Sequence, residues 1–226
     1  MSEANEIEPV IIEGITAILV SGFKSLASNY RIPIRPLTIF AGANSSGKSS
    51  VMQALLLLKQ TLEATYDPGP LLIDGPNARF SSAAQFQPNF SLGANIKDFR
   101  IGLEVSNRLS FASIFRKPSR AEIRLIETRY SDGVEDVVLH PRMSSQAILS
   151  ALPAASAQLH RTFYARWRTQ VKWKIDKKRC FLYAGLVFRG DISGILSVYP
   201  EKDPFDWHLL KLIHVPGLRG NPERRY

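Results

Sequence analysis

Gly42-Ala43-Asn44-Ser45-Ser46-Gly47-Lys48-Ser49 are eight consecutive residues with the spacing G-x-x-x-x-G-K-[ST], the P-loop or Walker A pattern. Each fixed position has a chemical reason. Gly42 and Gly47 allow backbone angles and a close approach that a β-carbon would block, so successive N–H groups can converge on phosphate oxygens. Lys48 adds a cation against the β- and γ-phosphates, the Ser49 hydroxyl is a magnesium ligand, and Ser50 continues the same first helical turn. The start of a following helix completes the anion site with its unsatisfied N–H groups and positive dipole end. From ordinary residue frequencies, an accidental match in a chain this long occurs about 1% of the time. The cofactors expected from the motif are therefore a nucleoside triphosphate, ATP in the first place, and magnesium.

Such a loop needs a strand before it and a helix after it. Leu37-Thr38-Ile39-Phe40-Ala41 is short, apolar and followed at once by the Gly/Ser loop, which predicts a strand buried on both faces. From Lys48 to about Tyr66, Val51, Leu55, Leu58 and Leu62 recur at helical spacing, and Asp67-Pro68-Gly69-Pro70 stops the run. Upstream, Ile11 to Val20 reads as a strand, turned by Gly22-Phe23-Lys24-Ser25 and returning over Tyr30 to Ile34 as a hairpin. Downstream, Leu71-Leu72-Ile73, Phe99 to Val105, Ala121 to Tyr130 and Val134 to Leu139 are strand candidates, with Ser131-Asp132-Gly133 a hairpin turn between the last two. The short connections favour an antiparallel sheet. Residues 143 to about 175 have mixed helical character, and Phe181 to Phe188 and Ile195 to Tyr199 return to strand.

The 226 residues carry a net charge of +9 and one cysteine. A single thiol forms no internal disulfide, and Met1-Ser2-Glu3-Ala4-Asn5-Glu6 lacks the features of a signal peptide, so a cytoplasmic location is expected. The apolar run Ala54 to Leu58 is far shorter than the roughly 20 residues of a membrane span. Residues 1–140 hold 14 Lys+Arg and 14 Asp+Glu, whereas 141–226 hold 15 and 6, so the second region carries all of the excess charge. We therefore expect a nucleotide-binding lobe over 1–140 and a basic, partly helical segment over 141–226. Within the latter, Arg161, Arg166, Arg168, Lys172, Lys174, Lys177, Lys178 and Arg179 are interleaved with aromatics. That pattern is a candidate contact for DNA phosphates and bases, or else a solvated face whose aromatics pack inward.

Phe23-Lys24-Ser25-Leu26 on a strand turn, followed by a hairpin and by Leu37 through Ser50, resembles the opening of the ABC-type ATPase heads of the RecF, SMC and OLD-like group, commonly called AAA family ATPases. Leu71-Leu72-Ile73-Asp74-Gly75 and Pro216-Gly217-Leu218-Arg219-Gly220-Asn221-Pro222-Glu223-Arg224 are similar to segments of bacterial members. The resemblance implies an α/β P-loop NTPase fold, the N-terminal lobe of an ABC-ATPase-like head with an antiparallel subsheet. It implies pairing of heads, as a homodimer or with a partner chain. It also implies a signature segment and a Walker B Asp-Glu pair, neither of which is visible. Asp74 is followed by Gly75 where the family has its catalytic Glu, Glu201 lacks the preceding aspartate, and Gln85 and Gln87 stand where a Q-loop glutamine would. No catalytic residue is assigned, and the sequence looks like the N-terminal half of a longer ATPase. His140, His160, His208 and His214 show no metal-ligand spacing with Cys180. Two other readings stay open: a non-catalytic nucleotide sensor or nucleic-acid-binding module, and a small P-loop kinase with arginines such as Arg219 clamping the transferred group.

Overall fold

The computed structural model describes residues 14–44, 46–86, 97–106, 109–117, 122–155, 158, 162, 170–189, 194–200 and 204–215. Two antiparallel sheets and the helix that follows the Gly/Ser loop make up its framework. Strands β1 (Ile15–Ser21), β2 (Tyr30–Pro33), β3 (Asp98–Val105), β4 (Ser110–Arg116), β5 (Arg124–Ser131) and β6 (Asp136–Leu139) form one sheet in the order β2-β1-β3-β4-β5-β6. β7 (Gln170–Lys178), β8 (Phe181–Arg189) and β9 (Gly194–Tyr199) form the second. The helices are α1 (Lys48–Glu63), α2 (Ser145–Ala151) and α3 (Pro204–Leu210).

Alternation in sequence decides which way each strand faces. Ile18 and Val20 on β1 and Phe99, Ile101, Leu103 and Val105 on β3 enter the core, while Arg100 and Glu104 point to the opposite face. The Ser131-Asp132-Gly133 turn joins β5 to β6, as expected. Asp132 accepts the N–H groups of Glu135 and Val134, which hold its carboxyl below the usual range.

Eleven of the 16 residues of α1 are buried, including Lys59, Gln60 and Thr61 outside the Val51/Leu55/Leu58/Leu62 stripe. A helix covered on nearly all sides lies between layers, not on a surface. The second sheet is fastened to the core face of the first by buried polar groups. Ser113 donates to the Cys180 carbonyl at 2.5 Å, the Tyr130 hydroxyl donates to the Leu182 carbonyl at 2.9 Å, and the Leu182 N–H donates to Thr128 at 3.2 Å. One continuous core therefore runs through both regions of unequal charge.

Three expectations are corrected. Leu37–Ala41 is in no strand; Leu37 and Ile39 are each 79% exposed, and only Phe40 of the five packs against the core. A strand needs a ladder partner, and no described strand lies beside this segment, which begins in a turn where Arg35 N–H donates to Thr38 Oγ1 at 2.9 Å. Leu71–Ile73 is also irregular, apart from an isolated bridge between Asp74 and Arg79. The backbone groups of Leu72 go to side chains of α1 instead, its carbonyl accepting from Gln60 Nε2 at 2.7 Å and its N–H donating to Thr61 at 2.9 Å, while the Ile73 carbonyl accepts the Phe80 N–H at 2.9 Å. Finally, the helical character expected to about residue 175 gives way to strand at Gln170, because Val171, Trp173 and Ile175 alternate inward with Lys172 and Lys174 outward. Strand β4 lay in no predicted element.

Gln60 also donates to the Ala78 carbonyl at 3.0 Å and accepts the N–H groups of Asn77 and Ala78 at 3.2 and 2.8 Å. Because the amide answers four backbone groups of the 72–78 turn at once, Gln60→Met should lower unfolding free energy by about 2 kcal/mol or more, from the 1–3 kcal/mol typical of each buried group left unpaired. Urea denaturation of the two proteins checks this.

Candidate functional site: the loop at the start of helix α1

The loop residues are held in a conformation that their types make possible. Gly42 has φ +150° and Gly47 φ +101°, both in the region that favours glycine. A β-carbon on Gly47 would lie 2.8 Å from Ser25 Oγ and 3.1 Å from Leu26 Cδ2, and one on Gly42 would lie 2.9 Å from Ser46 Oγ. The two glycines are thus required by backbone angle and by space together.

Gly47 is the N-cap of α1, and no side chain caps the helix. The Ser46 N–H returns to the Ala43 carbonyl at 3.3 Å, and the ordinary helical ladder begins with Val51 N–H to Gly47 O at 3.1 Å. The N–H groups of Lys48, Ser49 and Ser50 donate to no described residue and are the orphan donors of a helix start. Ser49 is exposed on this turn, with its hydroxyl in reach of solvent, whereas Ser50 is buried. Lys48 is folded back onto the loop, its Nζ donating to the Gly42 and Ala43 carbonyls at 2.7 Å each. Orphan N–H groups, a lysine on exposed carbonyls and an exposed hydroxyl are a donor set suited to a polyphosphate carrying a hard cation. Ser45 lies outside the described residues.

Sequence reasoning missed a second wall of the site. The turn Phe23–Leu26 packs against the N-terminal end of α1: Ser25 Oγ is 3.5 Å from Ser50 Oγ, and Lys24 Nζ donates to Gln53 Oε1 at 2.9 Å. Lys24 adopts φ +53°, uncommon for a residue with a side chain, and its N–H is fixed to the Phe86 carbonyl at 2.8 Å. Its ammonium lies 5.1 Å from the Phe80 ring centre, and burial lowers its pKa. The fingerprint Phe-Lys-Ser-Leu was visible in the sequence, but not which helix turn it would touch.

The other candidates are dispersed. Asp74 is in the turn clamped by Gln60, twelve residues beyond Lys48 and so roughly 18 Å along the helix, which excludes it as a metal ligand at the loop. Gln85 accepts the Ser81 N–H at 3.1 Å and serves its own turn. Gln87, His160, Glu201, Arg219, Arg161, Arg166 and Arg168 lie outside the described residues. Lys172, Lys174 and Lys177 are exposed on β7, and Lys178 is 3.9 Å from Asp206. Arg179, half-buried with φ +55°, donates to the Ala64 carbonyl at 2.6 Å and so holds the C-terminal end of α1. Among the described residues no group of His, Cys, Asp and Glu could hold a metal ion, and no helix is long and apolar enough to cross a membrane.

A hairpin, a glycine-bounded loop and a buried helix beneath an antiparallel sheet define the class of nucleotide-binding ATPase-type domains. The family model described as the AAA ATPase domain matches residues 14–147, more than half of the chain, and the chain belongs to that family, consistent with ABC-type P-loop ATPases of the RecF/SMC-like group. No curated protein and no solved structure matches it.

Gly47→Ala should both strain the backbone and push Ser25 away. We expect a loss of about 1–2 kcal/mol, the cost of a left-handed residue with a β-carbon, and a lower melting temperature by calorimetry.

Proposed function

We propose that residues 42–50 bind ATP with magnesium and that this binding drives association with a second head or partner chain, for work on DNA or on a partner effector. The observation that carries the reading is the uncapped start of α1, where orphan N–H groups, Lys48 and Ser49 converge behind Gly47. In this reading Lys48 exchanges its two loop carbonyls for β- and γ-phosphate oxygens, the orphan N–H groups cradle the phosphates, and Ser49 holds the magnesium. Bound magnesium supplies charge neutralisation of the phosphate oxygens. Lys24 and Ser25 keep the first turn of α1 in place.

The partner is supported by the bare segment before the loop. Leu37 and Ile39 are 79% exposed, and among the described residues none pairs with the backbone of Leu37, Ile39, Phe40 or Ala41. Apolar side chains and backbone groups without a partner among the described residues, in one run, suit an added β-strand. A partner lobe that supplies this strand, together with an Asp-Glu pair and a signature segment, would complete a hydrolytic site. A sensor without hydrolysis is the second reading, in keeping with a sequence in which no Walker B Asp-Glu pair is visible.

In this reading residues 1–140 are the nucleotide-binding lobe, 141–226 the basic region, and the protein works in the cytoplasm. For nucleic acid, Lys172, Lys174 and Lys177 are the exposed cations of β7, with Arg161, Arg166 and Arg168 completing the set from sequence. Arg179 anchors this region to α1 and contributes least to such a surface.

Isothermal calorimetry should give magnesium-dependent ATP binding that Lys48→Ala weakens at least tenfold, as expected for loss of a charge-assisted contact of roughly 1.5–3 kcal/mol; equal affinities would refute the site. The isolated chain should hydrolyse ATP far more slowly than about 1 per second. Reversal of Lys172, Lys174 and Lys177 to Glu should remove salt-sensitive DNA binding, whose log-log slope changes by about 0.9 per phosphate contact, and leave ATP affinity unchanged. Wild-type chain that binds no DNA at low salt would remove nucleic acid from the reading.

A further inference from the structure

Helix α3 turns one apolar side into the core and another to solvent. Phe205 and Leu209 are buried, and the Phe205 ring centre lies 4.7 Å from that of Phe111 on β4. Trp207 points the other way and is 54% exposed. Lys211 Nζ lies 3.7 Å from its ring centre, and the His208 ring is 4.9 Å away and nearly perpendicular. Because the buried side fixes the helix, the indole is a ring held out to solvent with a cation already on it.

The helix sits at the end of a row of lysines. Lys172, Lys174 and Lys178 are exposed on one face of β7, with Asp176 between the last two. Alternate residues of a strand are roughly 6.5 Å apart, close to the spacing of successive phosphates along one extended nucleic-acid strand. Lys178 lies 3.9 Å from Asp206, the residue before Trp207, so the row ends beside α3. Glu63, at the end of α1, is paired with Lys59, whose Nζ also donates to the Leu210 carbonyl at 2.9 Å. On α1, β7 and α3 and at Lys211, the acids Glu63, Asp176 and Asp206 therefore stand against Lys59, Lys172, Lys174, Lys177, Lys178 and Lys211, apart from the loop lysine Lys48 and from Arg179, which serves the Ala64 carbonyl. Glu201, Lys202 and Asp203, just ahead of α3, lie outside the described residues.

We propose that the nucleic acid bound by β7 is single-stranded, its backbone tracking the lysine row and one base stacking on Trp207. This rests on the nucleic-acid reading of β7 and names the substrate class for it. A row of cations with the spacing of one strand follows one backbone, and an exposed indole takes the flat face of any base, which a duplex keeps inside its stack. Lys211 then leaves the ring for the phosphate of the stacked nucleotide, so its charge is used with and without ligand. A purely apolar docking face has no use for a lysine over the ring or for the row beside it.

Fluorescence anisotropy on the full chain at low salt tests this, with a labelled thymidine strand of about 12 nucleotides, within the site sizes of single-strand binders, and a duplex of equal length. The single strand should bind at least tenfold tighter than the duplex. Trp207→Ala should weaken it about tenfold, the effect of one stacked base, and Trp207→Phe by less. Neither should change the slope of log affinity against log salt, whereas Lys174→Ala should reduce that slope by about 0.7, one single-strand phosphate contact. A strand of the same length without bases should bind wild type and Trp207→Ala alike, which separates lost stacking from a lost fold. A chain that binds neither strand nor duplex ends the nucleic-acid reading and this inference together. Duplex bound as tightly as single strand, or Trp207→Ala binding like wild type, ends the inference alone and leaves β7 as a surface for phosphates. Self-association abolished by Trp207→Ala, with no preference for single strands, makes this face a protein-docking surface instead.

Discussion

Helix α1 is covered on nearly all sides, and the arrangement of the other elements follows from having to cover it. Its apolar residues alone would ask for one packed face, but Lys59, Gln60 and Thr61 are buried too and need polar partners. Thr61 donates to the Leu57 carbonyl at 2.6 Å, Gln60 takes up the 72–78 turn, and Lys59 donates to the Leu210 carbonyl at 2.9 Å as well as to Glu63. Each requirement draws a different part of the chain onto the helix. The glycine-bounded loop is then aimed by a rod that cannot rotate without breaking these bonds.

The two ends of that rod are chemically unlike. At the N-terminal end, the first N–H groups have no partner among the described residues, and the Phe23–Leu26 turn holds the first two turns sideways through Ser25 and Lys24. At the C-terminal end, Arg179 answers the Ala64 carbonyl, with a positive charge placed where the helix dipole favours one. Open donors at one end and a satisfied acceptor at the other concentrate anion affinity in the loop. They also tie the β7–β8 turn, and through it the basic strand β7, to the nucleotide-binding family's central helix.

The segment Leu37–Ala41 departs from this pattern. It leaves apolar side chains and backbone groups bare where its sequence asks for burial. Local sequence and tertiary surroundings usually agree in a folded chain, and disagreements gather at binding surfaces. That is the reason for assigning a strand partner to this segment.

The loop was legible in the sequence because its chemistry is local: glycine is the residue that tolerates φ +101° against Ser25, and a lysine and serine must follow within one helical turn. The β1–β2 and β5–β6 hairpins and the helical start at Lys48 were legible for the same reason, since turn residues and apolar period act over a few positions. The strand at Leu37–Ala41 failed because pairing is a property of two segments, and only one is in the pattern. β7 was not legible because the residues before it carry the same mix of cations and aromatics, and the period of two at Val171, Trp173 and Ile175 is only three apolar positions long until they have a core to enter. That Gln60 closes a turn and that Arg179 caps a helix 115 residues away were decided by tertiary contact alone, since the groups concerned meet only after the chain has packed around α1.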